Sequence, residues 1–406
     1  MKKRIKFGGM AKCISYNGTK IEKHYRHIFK SDKYVIELLK EFDLLDEMLW
    51  NKTKMAYYSK DGLYEFGTPT SLLKYKPLSF IEKIRFGFSV IKIKLINDYK
   101  KIERYTAEQW VIKNCGENVY KKTWEPLLFS KFGNNKDKIS MAWLWGKIKL
   151  RGSSSEADGE RLGYLNGSYE RLTQKIEKYL LKNNCKIKTS EEVKSVSKDG
   201  RKYVVETSNE SKEFDYVVST VSYDISKKIL KDVLSSEEIN KMNNLKYTCA
   251  KTLLIFSKKS FSPFYWINIG CDYIPFGGII EHTNMIDCNE YGGAHLIYVS
   301  NYMDKNDRLY ALDEKQLFEE YNKYLKEIGN GFDDGDIIEL KCFEEDCAQP
   351  VITTNYSHNI LDIQMKENGI FMANMAQIYP EDRGMNYAIK MGYEVAANII
   401  MNERLD

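Results

Sequence analysis

In residues 32–48 (DKYVIELLKEFDLLDEM), apolar side chains recur at Val35, Leu38, Leu39 and Phe42. That is the spacing of one helix face, and Asp32 just ahead of it predicts an N-cap. From 53 to 68 the period shortens to two, and Lys60-Asp61-Gly62 supplies the turn of a hairpin. Residues 79–132 read as mainly helical, with Thr106 and Gln109 spaced as a capping box. A further amphipathic helix over 167–183 is followed by the strand-like pieces CKIKT, EVKSVSKDGRKYVVET and KEFDYVVSTV, the second folding back at Asp199-Gly200. The run Tyr216–Val221 is nearly all apolar, which predicts a strand buried on both faces. Strands dominate 247–302, and a helix spans about 313–328. A last strand, GIFMANM at 369–375, precedes a loop and a helix from about Met385. A helix–strand–hairpin–strand block in mid-chain and a terminal strand–loop–helix predict an α/β domain assembled from separated pieces. Its inserts form a second domain.

Composition agrees with two folded domains: 406 residues, 43% hydrophobic, 29% charged and only 7 prolines. The net charge of +5 is too small to argue for nucleic acid. Eight cysteines are scattered without a CxxC pair, so no metal site is expected, and buried thiols in a reducing compartment are the better reading. The start, MKKRIKFGGMAK, is basic but lacks an apolar stretch behind it, and no eighteen-residue apolar run occurs, so the cytoplasm is expected. Residues 71–105 hold nine Lys/Arg against three Asp/Glu with apolar residues between them. Such a segment is either a solvated helix pair or a peripheral contact with an anionic membrane.

The terminal stretch carries the chemistry. A buried strand ending at Asn374 crosses through a charged, glycine-bearing loop, PEDRG, to a helix opening near Gly384. Free N–H groups at such a helix start suit an electron-rich ligand edge. The segment ANMAQIYPEDRGMNYAIKMGYEVAA resembles the C-terminal flavin-binding motif of FAD-dependent oxidoreductases of the amine oxidase, protoporphyrinogen oxidase and phytoene desaturase superfamily. FGGMAKCISYNGTKIEKHYRHIFKSD, TWEPLLFSKFG, GERLGYLNGSYERL, EEVKSVSKDGRKYVVET, FDYVVSTV, PFGGIIEHTN and YGGAHLIYVSNY follow that superfamily's order along nearly the whole chain.

The resemblance implies a Rossmann-like FAD/NAD(P)-binding domain from 1–30, 151–225 and 365–406, with a mixed α+β substrate domain from 31–150 and 226–364. It places Gly8 and Gly9 by the cofactor's phosphate and ribityl region and the Val193 backbone at the adenine. Asn374 then falls on the ribityl chain, and Gly384, Met385 and Asn386 at the flavin's pyrimidine edge. Arg383 adds positive charge there, and no catalytic base is indicated. The superfamily's opening strand, GxGxxG turn and helix have no counterpart ahead of Gly8-Gly9, so an N-terminally truncated FAD-binding domain with weakened or lost FAD binding is expected. Hydride transfer from a small-molecule substrate to flavin is the leading reading. A non-catalytic remnant comes second. A UDP-sugar mutase comes third, needing cavity arginines such as Arg26, Arg85, Arg151 or Arg161. His24 and His27 lack an acidic third ligand and read as structural or surface residues. His282 reads as a cavity residue or a satisfied strand-end histidine, and Trp124, Trp143 and Trp145 as core or cavity lining.

Overall fold

The computed structural model describes residues 7–156, 159–329 and 331–404; the basic segment MKKRIK and the side chain of Arg151 lie outside them. Its largest sheet has seven strands, in the order Ile337–Pro350, Tyr247–Ser257, His295–Met303, Gly278–Glu281, Trp266–Ile269, Met55–Ser59 and Gly62–Glu65. Pairing is antiparallel except between Trp266–Ile269 and Met55–Ser59. On the spine strand Tyr247–Ser257, Leu253 lies between Val299 and Cys342. Leu253 and Ile255 pack with Leu317, Tyr321 and Leu325 of helix Glu314–Ile328, whereas Leu254 and Phe256 pack with Tyr16, Ile21 and Leu39. Both faces are covered, which is why its centre, Leu253–Phe256, is an unbroken apolar run, while buried Lys251 donates to the Tyr310 and Leu312 carbonyls and pairs with Glu344.

A smaller sheet joins Ile28–Phe29, Gly159–Leu165 and Met48–Lys52. Helices Phe80–Leu95, Ala107–Cys115, Glu125–Phe132 and Met141–Ser154 form a block, with the Thr106–Gln109 capping box made in both directions. Helix Glu170–Lys182 leads to a three-stranded meander, Val193–Asp199, Lys202–Thr207 and Ser211–Phe214, and to a parallel pair, Val217–Ser219 with Ile370–Met372.

Four local expectations change. CKIKT is extended, mostly exposed chain that joins no ladder among the described residues; only Ile187 in its middle is apolar, too little to hold a strand on a core. KEFDYVVSTV breaks at Asp215-Tyr216 into two strands of different sheets, and Val218 is 39% exposed: among the described residues its strand pairs only with Ile370–Met372, and the face that carries Val218 is incompletely covered. Asp32 holds the N-cap position, but its carboxylate turns back to accept the Phe29 N–H at 2.8 Å. The helix's Tyr34 and Val35 N–H groups instead donate to Asn386 Oδ1 at 2.9 and 3.3 Å. Strand Ile337–Pro350, 14 residues long, went unanticipated; Glu339, Lys341, Glu344 and Glu345 break its apolar period, as suits an edge strand.

Candidate functional site

The loop from the last strand to helix Met385–Glu403 is pinned at both ends. At its start, Asn374 Oδ1 accepts the Ala376 N–H at 3.0 Å while Gln377 Oε1 accepts the Asn374 N–H at 3.0 Å. Asn374 is buried, and its Nδ2 has no hydrogen-bond partner. Further on, the loop presses against helix Met141–Ser154 at Gly146, where a Cβ would fall 2.4 Å from the Pro380 carbonyl oxygen. Any side chain there would push the loop away.

That contact carries Asp382 among cations. Lys147 binds Asp382 Oδ2, Lys131 Nζ stands 3.6 Å from the same oxygen, and the Trp143 indole N–H donates to Oδ1 at 3.4 Å. Burial would raise the Asp382 carboxyl, but Lys131, Lys147 and Arg383 outweigh it and hold the group well below the usual carboxylate range.

Arg383 donates from Nε to Gln349 Oε1 at 2.9 Å and from Nη2 to the Tyr302 hydroxyl at 3.0 Å. Tyr25 is the electrostatic neighbour of Tyr302, with Ser300 beside it. Desolvation would raise the Tyr302 phenol, yet Lys131 and Arg383 draw it below its ordinary value, while desolvation and the neighbouring Tyr302 push Tyr25 well above. Tyr302 is therefore the more acidic of the two phenols. The Tyr25 ring meets Trp266 edge-on at 4.8 Å between centroids.

Arg26 approaches from the other side, donating to the Met10 carbonyl in the turn that follows Gly8-Gly9; its buried Nε has no partner. Gly8 has φ +110°, a backbone that favours glycine, and so sets the direction of that turn. Desolvation, Arg26 and Arg383 lower the His24 imidazole to about 3, and His24 Nδ1 lies 2.9 Å from Thr252 Oγ1. Desolvation raises Glu22, which accepts from the Tyr164 hydroxyl at 2.7 Å and the Tyr169 N–H at 2.9 Å. Tyr25, Tyr302, Arg26 and Arg383 lie deep among protein atoms, yet each keeps some water-accessible surface.

The fold thus brings the Gly8-Gly9 turn and Arg383 to one charged cluster. Gly384 is the N-cap of the last helix, with no side-chain cap, so the first-turn N–H groups stay open beside Arg383. Met385 follows, half-buried, while Asn386 is engaged with the helix at Tyr34. Asn374 sits on the same loop in a separate hydrogen-bond set. Val193 starts an edge strand, 37% exposed, and the network around Arg383 does not extend to it.

His27 Nδ1 lies 3.0 Å from the Tyr265 hydroxyl and His282 Nε2 2.7 Å from the Tyr291 hydroxyl, so both histidines are satisfied. Trp124, Trp143 and Trp145 are buried in the helical block. Of the candidate arginines with described side chains, Arg26 joins the cluster, whereas Arg85 is exposed and Arg161 lies on strand Gly159–Leu165. The sequence reading missed Tyr25, Tyr302, Lys131, Lys147, Asp382 and Gln349. Tyr25, Lys131, Tyr302 and Asp382 all fall inside the motifs quoted above, but nothing in their spacing shows that they meet. Among the described residues, no group of three or more His, Cys, Asp or Glu side chains could hold a metal.

The whole fold has known counterparts. It superposes on a protein assigned as a protoporphyrinogen oxidase from Exiguobacterium sp. 255-15 with a TM-score of 0.76 at 15% identity, over 97% of this chain and 91% of that one. A putrescine oxidase redesigned in its cofactor binding gives 0.75 at 12%, over 98% and 92%, and a reduced UDP-galactopyranose mutase gives 0.74 at 12%, over 97% and 88%. At such identities the likeness speaks for the fold. No curated protein matches the chain by sequence. The family model for flavin containing amine oxidoreductase, however, matches residues 4–400, and the chain belongs to that family of FAD-dependent oxidoreductases.

Proposed function

We propose that this protein takes a hydride from a C–H bond, such as one beside an amine nitrogen, of a small molecule bound beside Tyr25, Trp266 and Tyr302. FAD, when bound, supplies the acceptor for that hydride. The carrying observation is the Arg383–Tyr302 hydrogen bond, with Tyr25 as its electrostatic neighbour and both tyrosines partly open to water, beside the uncapped start of the last helix. Three features support a fit to the flavin and ribityl end of FAD. The Asn374 amide is a buried donor without a partner, suited to a ribityl hydroxyl. The first-turn N–H groups after Gly384 suit a pyrimidine carbonyl. Arg26, Arg383, Lys131 and Lys147 outnumber Asp382 and Glu22, and that excess favours an electron-rich ring.

In this reading Arg383 holds Tyr302 in place, and Tyr302, the more acidic phenol, accepts or returns a proton at its hydroxyl oxygen. The proposed cofactor pieces, 1–30, 151–225 and 365–406, bring Arg26 and Arg383, while 31–150 and 226–364 bring Lys131, Lys147 and Tyr302. A second reading, a UDP-sugar mutase, is favoured by Arg26, a buried guanidinium with an unpartnered Nε suited to a diphosphate. Purified protein is titrated with FAD and then offered amines, porphyrinogens, polyenes and UDP-sugars without oxygen. Bleaching of the flavin absorbance by a redox substrate supports oxidoreduction. A UDP-sugar isomerised without net redox supports the mutase. No FAD binding at millimolar concentration refutes both.

A further inference from the structure

Helix Phe80–Leu95 has two faces of opposite character. On the inner face Ser89 and Ile93 are buried, and Phe86 stacks on Trp124 with centroids 5.3 Å apart. On the outer face Phe80, Ile81, Ile84, Phe88, Ile91 and Leu95 lie in water, from 42% exposed at Ile84 to 73% at Leu95. At about 100° per residue these six occupy an arc of about 100°, opposite the buried residues. The stripe is therefore continuous along the 16-residue helix. Exposed Leu73 extends it, since its carbonyl accepts from Lys83 Nζ at 2.7 Å.

Cations border the stripe. Arg85 and Lys92 run along one side and Lys83 and Lys94 along the other, with Lys74 and Lys76 preceding the helix. None of the six pairs with a carboxylate among the described residues; Lys92 bonds Asn114 and Lys83 a carbonyl. The helix's one acid, Glu82, is engaged with Asn118 and the Ser79 N–H.

We propose that this helix docks flat on an anionic lipid bilayer, its apolar stripe entering the acyl boundary and its cations meeting the headgroups. Charge decides against a second copy of the chain. A two-fold contact through the stripe would set rows of Lys and Arg against each other without an acid to compensate. At 16 residues the helix is also shorter than the roughly 20 needed to span, and no helix among the described residues is long and apolar enough to cross a membrane.

The test is co-sedimentation of the full chain with vesicles of phosphatidylcholine, with and without a quarter of phosphatidylserine. Binding is expected to the anionic vesicles, and to fall at least tenfold on pure phosphatidylcholine or in high salt. Joint Phe88→Glu and Ile91→Glu changes should lower it at least tenfold while leaving the melting temperature unchanged, since both side chains are exposed. Changing Lys74, Lys76, Lys92 and Lys94 to Gln should cost about fivefold per charge and abolish the preference for phosphatidylserine. Absence of vesicle binding overturns the proposal, as does equal binding by the Phe88→Glu/Ile91→Glu variant. A solution dimer that this variant disperses also overturns it, and assigns the face to self-association.

Discussion

Replacing Asp382 by Asn keeps the shape of the loop residue but removes the carboxylate on which Lys131 and Lys147 converge. Breaking a buried ion pair from one side costs about 3–5 kcal/mol, because the remaining charge is left uncompensated. Here the lysine side chains keep 19% and 23% of their exposure, so water screens part of the loss and about 3 kcal/mol is expected. Against a total stability of about 5–15 kcal/mol that is a large effect. Urea denaturation followed by tryptophan fluorescence measures it, with the m-value unchanged if only stability is affected.

Two controls sharpen the test. Adding Lys147→Met to Asp382→Asn should restore about half the loss, since one stranded ammonium then disappears. The pH dependence has a defined sign. The folded carboxyl lies below its unfolded value of 3.8, so its contribution is complete above that value and is lost as pH falls towards the folded one. The gap between wild type and Asp382→Asn should thus be constant above about pH 5 and shrink below about pH 4. A variant within about 0.5 kcal/mol of wild type at pH 7, or a gap that widens on acidification, would refute the account of this loop.

Gly146→Ala should destabilise by about 1–3 kcal/mol, although alanine favours a helix by up to about 1 kcal/mol, because its Cβ meets the Pro380 carbonyl oxygen at 2.4 Å; thermal melting showing equal or higher stability sinks this. His282 is neutral in the fold, its imidazole lowered to about 3 by burial from an ordinary 6.5. Unfolded chains then bind the extra proton below pH 6.5, so stability should fall by about 2 kcal/mol for this residue between pH 7 and 5, as denaturation midpoints will show. Asn374→Asp keeps the acceptor for Ala376 and turns the unpartnered donor into a charged acceptor. FAD should bind about tenfold tighter or better while the apoprotein loses stability; an unchanged flavin titration removes Asn374 from the proposed site.

Local structure was largely legible wherever short-range physics decides it. The Thr106–Gln109 capping box, the hairpins at Lys60-Asp61-Gly62 and Asp199-Gly200, and the helix starting at Met385 depend on neighbours a few residues apart. Tyr247–Ser257 was legible as part of the strand-rich 247–302 region because sheet partners and two covering layers bury both its faces and select apolar residues such as Leu253, Leu254, Ile255 and Phe256, although Lys251 and Thr252 are buried there too. The glycine-bearing PEDRG loop stood out because charges between a buried strand and a helix need partners, and the family resemblance rested on segments of this kind.

Tertiary structure decided which charges meet. Asp382 and Lys131 stand about 250 residues apart in the chain and Tyr25 and Tyr302 about 280, and no periodicity encodes such pairs. It also decided burial: the apolar run at Tyr216–Val221 could not show that Val218 faces water, nor could Asp32 show that Asn386, 354 positions later, would cap its helix. Side-chain chemistry is written residue by residue, whereas desolvation and Coulomb energy depend on what the folded chain packs around each group.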